Sequence, residues 1–154
     1  MRLTRRADYA VRVMVELASH PEDAVIRPED AVIPRARIQA SQDVPAAYLA
    51  KIIQALACAG LVQTRAGAQG GVSLSVAPGD VTLRRVIEAV EGPIHLNRCV
   101  IRPGACPRDR FCAVHPVWLR IQKLLTLELD AVTIAALAEP RARAAMEKRN
   151  AEPQ

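Results

Sequence analysis

Apolar residues recur at helical spacing in the opening segment, where Ala10, Val11, Met14, Val15 and Ala18 give 6–19 one oily face. His20-Pro21 ends that helix. A short second helix fits 34–42, with Ala36 and Ile38 turned inward. The clearest periodicity lies in 43–60, where Leu49, Ile52, Ile53 and Leu56 fall at i, i+3, i+4 and i+7 as one buried stripe. Asp43 or Val44 stands at its cap, Pro45 suits the first helical position, and Gly60 sits just past the end. The period then changes. Residues 61–64 and 72–75 alternate like paired strands around a turn with three glycines, Gly67, Gly70 and Gly71. Thr82 caps a helix carrying Leu83, Val86, Ile87 and Val90, stopped by Gly92-Pro93. A loop with three cysteines spans 97–114. Val117, Trp118, Ile121, Leu124, Leu125 and Leu129 mark a long apolar-faced helix, and Thr133 opens a last one towards Lys148.

A seven-residue unit occurs twice between the first two helices: 21–27 reads PEDAVIR and 28–34 reads PEDAVIP. A unit this short, opened by Pro, is too small for a solenoid and reads as a duplicated loop or strand edge.

The 154 residues are 51% hydrophobic but only 3% aromatic, so the core is built from aliphatic side chains, which suits packed helices better than a sandwich. That apolar content excludes wholesale disorder. No run of ~18 apolar residues offers a membrane span, and the arginine-rich start lacks the apolar stretch of a signal peptide. A cytoplasmic location follows, where cysteines are metal or redox groups rather than disulfides. No phosphate loop, nucleophile elbow or paired catalytic carboxylate is present, so an enzyme is the weakest reading.

Helix, helix, helix, hairpin is the order of a winged helix-turn-helix, making the fold mainly α with a small β-hairpin wing and a long dimerisation helix. The net charge of +5 permits nucleic acid as partner without requiring it. Its distribution says more: 44–79 contains no Asp or Glu, and its only charges are Lys51 and Arg65. An acid-free recognition helix and wing avoid repelling phosphates. Tyr48 and Lys51 are the expected DNA contacts on the helix and Arg65 on the wing, with Arg2, Arg5 and Arg6 adding phosphate contacts. Tyr48 has a second reading, packing against the second helix. Trp118, Ile121, Leu125 and Leu129 are the expected homodimer interface, the alternative being packing against their own domain. Two-fold symmetry then implies half-sites about one helical turn apart.

Cys99, Cys106, Cys112 and His115 are separated by six, five and two residues. Structural zinc sites usually include a close cysteine pair, which is missing here. Iron–sulfur clusters accept longer loops and sometimes an imidazole. Arg98, Arg102, Arg108 and Arg110 favour thiolates and offset a cluster's negative charge. Spacing leaves an iron–sulfur cluster, zinc and metal-free thiols all open. Cys58, on the recognition helix, is separate from the trio.

Several motifs recur in order: Met1-Arg2-Leu3-Thr4, Asp8-Tyr9-Ala10, Tyr48-Leu49-Ala50-Lys51-Ile52, Ala59-Gly60-Leu61-Val62, Gly67 with Gly70-Gly71, and Glu91-Gly92-Pro93. Together with the three cysteines they resemble the Rrf-type winged-helix transcription regulators, the family of IscR, NsrR and RirA, over about residues 1–137. The resemblance implies a homodimer on palindromic DNA, carrying a 2Fe–2S or 4Fe–4S cluster that reports iron, redox state or nitric oxide. It divides the chain into a winged helix-turn-helix at 1–93, a cluster-binding loop at 94–115, and dimerisation and C-terminal helices at 116–150. His115 matches family members with a 2Fe–2S cluster, and Asp8 matches those in which a carboxylate completes a 4Fe–4S cluster across the dimer. Local spacing favours His115; Asp8 near a helix start is also stabilised by the dipole without metal. Three departures stand out: the tandem repeat is extra, Ala66 precedes the first wing glycine where the family usually has Arg, and the first cysteine gap is one residue longer. The reading is a DNA-binding transcription regulator controlled by an iron–sulfur cluster; the alternative is a zinc-stabilised DNA-binding or adaptor protein without sensing chemistry.

Overall fold

Thr4 starts the first helix, α1 (Arg5–Ala18), by accepting hydrogen bonds from the Arg6 and Ala7 amides at 3.1 and 3.4 Å. The structure is a computed structural model, and it describes residues 4–19, 32–67 and 70–139. Arg2, residues 21–31 of the tandem repeat and the chain from 140 onward, including the end of the last expected helix, lie outside those residues. Six helices and one hairpin occur among them: α1, α2 (Arg35–Gln42), α3 (Ala46–Cys58), β1 (Val62–Arg65), β2 (Gly71–Leu74), α4 (Leu83–Glu91), α5 (His115–Ala131) and α6 (Ile134–Ala138). The fold is mainly helical with a small antiparallel wing, as the sequence pattern predicts.

Helix α1 is the hub, packing on α2, α3, α4, α6 and β2. It buries Ala7, Ala10, Val13, Met14 and Leu17, with Val11 and Ala18 half-buried beside them. The sequence stripe missed Ala7, Val13 and Leu17 because an amphipathic reading assumes one covered face, whereas α1 has neighbours on several sides. Glu16 is buried too, and its carboxylate accepts a hydrogen bond from the Gln42 side chain at the end of α2.

The turn into the recognition helix differs in detail from expectation. Asp43 is not the cap of α3: it takes a left-handed conformation (φ 50°, ψ 46°) and closes α2. Pro45 is the N-cap of α3 rather than its first helical residue, and no side chain caps that helix. Val44 and Ile38 are buried between the two helices, but Ala36 is exposed. The stripe Leu49, Ile52, Ile53 and Leu56 is buried as predicted. Gly60, at φ 70°, ends the helix in a conformation that costs other residues energy.

In the wing, Val62 pairs with Leu74 and Arg65 with Gly71. Strand β2 is buried at every position, not at alternate ones: α1 packs on it, and Ile33 bridges its other edge. The Ile33 amide donates to the Val72 carbonyl at 2.8 Å, and the Val72 amide donates back at 2.9 Å. The end of the tandem repeat thus acts as a strand edge. Gly71 is required by this approach, since a Cβ there would stand 2.3 Å from the Ile33 carbonyl oxygen.

Helix α4 is capped by Thr82 and ended by Gly92, with Val86, Ile87 and Val90 in the core. Its start is tied to the end of α5 by Arg84 and Thr82, which reach the Asp130 carboxylate at 2.9 and 3.4 Å. Ile134 of α6 is fully buried against this assembly.

Replacing Gly71 with Ala should destabilise the fold by about 1–3 kcal/mol, because the new methyl group must push Ile33 off the hairpin. Gly79→Ala, where a Cβ meets nothing within 4 Å, should leave the urea midpoint unchanged. Equal midpoints for the two variants would show that the Ile33 bridge contributes nothing to stability.

Candidate nucleic-acid interface and cysteine cleft

Burial of one stripe of α3 leaves Ala47, Tyr48, Ala50, Lys51, Gln54 and Cys58 exposed. Tyr48 is 46% exposed and meets the Tyr9 ring edge-on, centroids 5.8 Å apart at 72°. It therefore leans on α1, not on α2. The Arg12 guanidinium lies 5.9 Å from the Tyr9 centroid, which sets a cation beside the two rings. Arg5 and Arg65 are exposed on the first helix and the wing, while Arg6 is half-buried with its Nε enclosed and unpaired among the described residues. The expected DNA contacts thus fall on α1, α3 and the wing.

The entrance of the cysteine loop is held by side chains. Before it, the Ile94 amide donates to Glu88 Oε1 at 3.1 Å. Gln122 of α5 accepts from the Leu96 amide and donates to the Ile94 carbonyl, both at 2.8 Å. Asn97 then accepts from the Arg98 amide at 2.8 Å and starts a short 3-10 turn, Arg98–Val100. Within the loop, Asp109 accepts from the Gly104 amide at 2.7 Å. The sequence analysis passed over Gln122 and Glu88; a polar residue interrupting the inner face of an apolar helix was the available signal for Gln122.

Cys99, Arg102, Asp109, Arg110, His115 and Leu119 line a cleft of about 560 Å³. Cys106 and Cys112 are half-buried in the surrounding turns but not on its wall. Among the described residues no three of His, Cys, Asp and Glu stand grouped as for a metal ion. His115 Nδ1 is nevertheless buried there without a hydrogen-bond partner among the described residues. An imidazole nitrogen left unpaired, in a residue that lines the same cleft as Cys99, is a donor type that an iron–sulfur cluster accepts. Cys99 and His115 are donor types that such a group accepts, while the three thiols and the imidazole are not gathered around one point. Asp8 lies elsewhere, in the first turn of α1, paired with Arg12 at 2.9 Å.

Helix α5 buries no residue fully. The expected interface stripe divides on it. Leu125 and Leu129 pack against the core of their own chain, with Trp118 half-buried, whereas Ile121 is exposed. Val114, Val117 and Leu124 share that exposure, so an apolar stripe runs along the outer side. No helix among the described residues is long and apolar enough to cross a membrane.

Comparisons with known proteins agree with this geometry. Residues 3–140 match the Rrf2 family, described as iron-dependent transcriptional regulators. The transcriptional regulator IscR of Pectobacterium carotovorum is 30% identical over 137 residues, covering 89% of this chain and 79% of that protein. Protein rrf2 of Nitratidesulfovibrio vulgaris is 28% identical over 137 residues, 89% of this chain and 87% of its own. The structure of CymR, the global cysteine regulator of B. subtilis, superposes with a TM-score of 0.68 at 27% identity, covering 90% of this chain and 96% of that one. The chain belongs to the Rrf2 family, and it is a winged-helix, DNA-binding regulator of transcription rather than an enzyme.

Proposed function

We propose that this regulator is a cytoplasmic homodimer whose grip on a palindromic promoter site is set by an iron–sulfur cluster in the cysteine loop. The observation that carries the reading is the unpaired, buried His115 Nδ1 in a cleft shared with Cys99 and rimmed by Arg102 and Arg110. Cys99, Cys106, Cys112 and His115 would hold the cluster, a 2Fe–2S centre being favoured by the imidazole; a 4Fe–4S centre completed by Asp8 is the variant to be tested. Bound there, the cluster supplies iron–sulfur bonds that respond to iron supply, oxidants or nitric oxide. The protein's own part is positional. The arginines offset negative charge, and Gln122 and Glu88 hold 94–96, so a shift in the loop pulls on α4 and α5 together. Helix α4 packs on both α1 and α3, which gives that pull a route to the DNA-binding face.

The functional parts proposed are the winged helix-turn-helix at 1–93, the loop at 94–115 and the dimerisation and C-terminal helices at 116–150. Val117, Ile121 and Leu124 supply the exposed centre of the dimer contact, flanked by Trp118, while Leu125 and Leu129 back it from the core side. Tyr48, Lys51 and Arg65 contact DNA, with Arg2, Arg5 and Arg6 on phosphates.

Protein purified without oxygen should be brown, with iron and acid-labile sulfide bound; a colourless zinc protein would overturn the reading. His115→Ala should alter the anaerobic absorption spectrum and shorten the cluster's half-life, and Asp8→Ala should do neither. The reverse result would transfer the fourth ligand to Asp8.

Lys51→Glu should abolish promoter binding at moderate salt while leaving the circular dichroism of the fold intact. Unchanged affinity would remove Lys51 from the interface.

Ile121→Asp should turn the dimer into monomers by light scattering at micromolar concentration and weaken DNA binding in parallel. A wild-type chain that is monomeric under those conditions would refute the proposed interface.

A further inference from the structure

On α3 the residues at i, i+4, i+7 and i+11 opposite the buried stripe are Ala47, Lys51, Gln54 and Cys58. A recognition helix presents this face to the floor of the major groove. The sequence of α3, AAYLAKIIQALAC, contains no Arg, so the commonest bidentate reader of guanine is missing from it. Gln54 is the one side chain on this helix that carries both a donor and an acceptor in an amide. It is exposed, and no hydrogen bond engages it among the described residues. It opens onto a hollow of about 450 Å³ lined also by Arg35 of α2, Ala50, Ala57 and Thr64 of β1, so the space in front of the amide is not filled by those neighbours.

We propose that Gln54 determines sequence specificity by reading an adenine in each half-site, its amide donating to N7 and accepting from the N6 amino group. The proposal rests on the reading that α3 enters the major groove. Ala47 and Ala50, exposed on the same side, lie where an apolar contact with thymine methyl groups is available. Lys51 is a point charge without a fixed fork and follows the nearest phosphate, supplying affinity rather than sequence information. A half-site rich in A·T pairs, with one adenine required opposite Gln54, is the pattern these side chains can read.

The test is selection of binding sites from a randomised duplex library by the purified full chain, repeated with Gln54→Ala, Gln54→Glu and Lys51→Glu. The wild type should return one invariant adenine per half-site. Gln54→Ala should lose preference at that base pair alone and bind the wild-type duplex about tenfold more weakly or worse. Gln54→Glu, whose carboxylate can only accept, should move the preference there to cytosine, whose N4 amino group donates. An unchanged selected sequence with Gln54→Ala, or guanine at that position for the wild type, overturns base readout by Gln54. If Lys51→Glu also binds the wild-type duplex undiminished, the placement of α3 in the groove falls with it.

Discussion

Everything else in the fold depends on how closely other elements can approach α1. Ala7 and Ala10 are almost wholly buried, and their small side chains let neighbouring backbones come near. Val13, Met14 and Leu17 then fill the spaces between α2, α3, α4 and α6. A single helix thereby fixes the recognition helix, the wing and the helix that leads to the cysteine loop. A larger residue at Ala10 would have no place to go, and the cost would be borne by several contacts at once. The buried Glu16 belongs to the same constraint. Its carboxylate is held by Gln42 at the end of α2, which ties the helix-turn-helix to the hub through a polar contact that an apolar surface alone would not orient.

The second constraint is how the cysteine loop is anchored. A loop of this length, with Pro103, Gly104 and Pro107, has little secondary structure of its own. Its entrance is fixed instead by three hydrogen bonds from Glu88 and Gln122, side chains on two different helices. Because α4 and α5 are joined again at Asp130 by Arg84 and Thr82, they behave as one clamp around the segment before Cys99. A clamp made of side-chain hydrogen bonds can be shifted at modest free-energy cost, whereas the apolar core beneath α4 cannot. That contrast assigns movement to the loop and rigidity to the winged helix.

Much of this was legible in the sequence. Helix periodicity located α1 to α5, the stripe of α3 was read residue by residue, and the glycine-rich turn announced the wing. The missed features share one cause: they depend on neighbours distant in sequence. Ile33 lies beside β2 because the chain returns there, so nothing local revealed that the outer edge of β2 would be paired. Asp43 looked like a helix cap because its side chain is suited to one, but the tight turn needed a residue tolerant of positive φ, a role Asp also fills. Leu125 and Leu129 were read with Ile121 as one stripe, although α5 carries apolar residues on two sides, one for its own core and one exposed. At the cysteine loop, spacing identified His115 as a candidate ligand, and only the fold revealed that its Nδ1 is enclosed without a partner among the described residues.

The sparse charge of the DNA-binding face links these features. Over 44–79 the chain offers only Lys51 and Arg65, so the recognition helix and wing add little charge to the phosphate contacts proposed for Arg2, Arg5 and Arg6. Two protomers on one duplex double the phosphate contacts, and the second engages at the high effective concentration set by the first. In the proposed dimer, affinity therefore resides in the spacing between two recognition helices more than in either helix. The proposed contact through the outer stripe of α5 would fix that spacing, and α5 also carries Gln122, which holds the entrance to the cysteine loop. A small rotation of α5 at the loop end changes the separation of two weak half-site contacts at once. A strongly basic recognition helix would blunt the effect of such a change, so in the proposed dimer the low charge of α3 would make control through α5 effective.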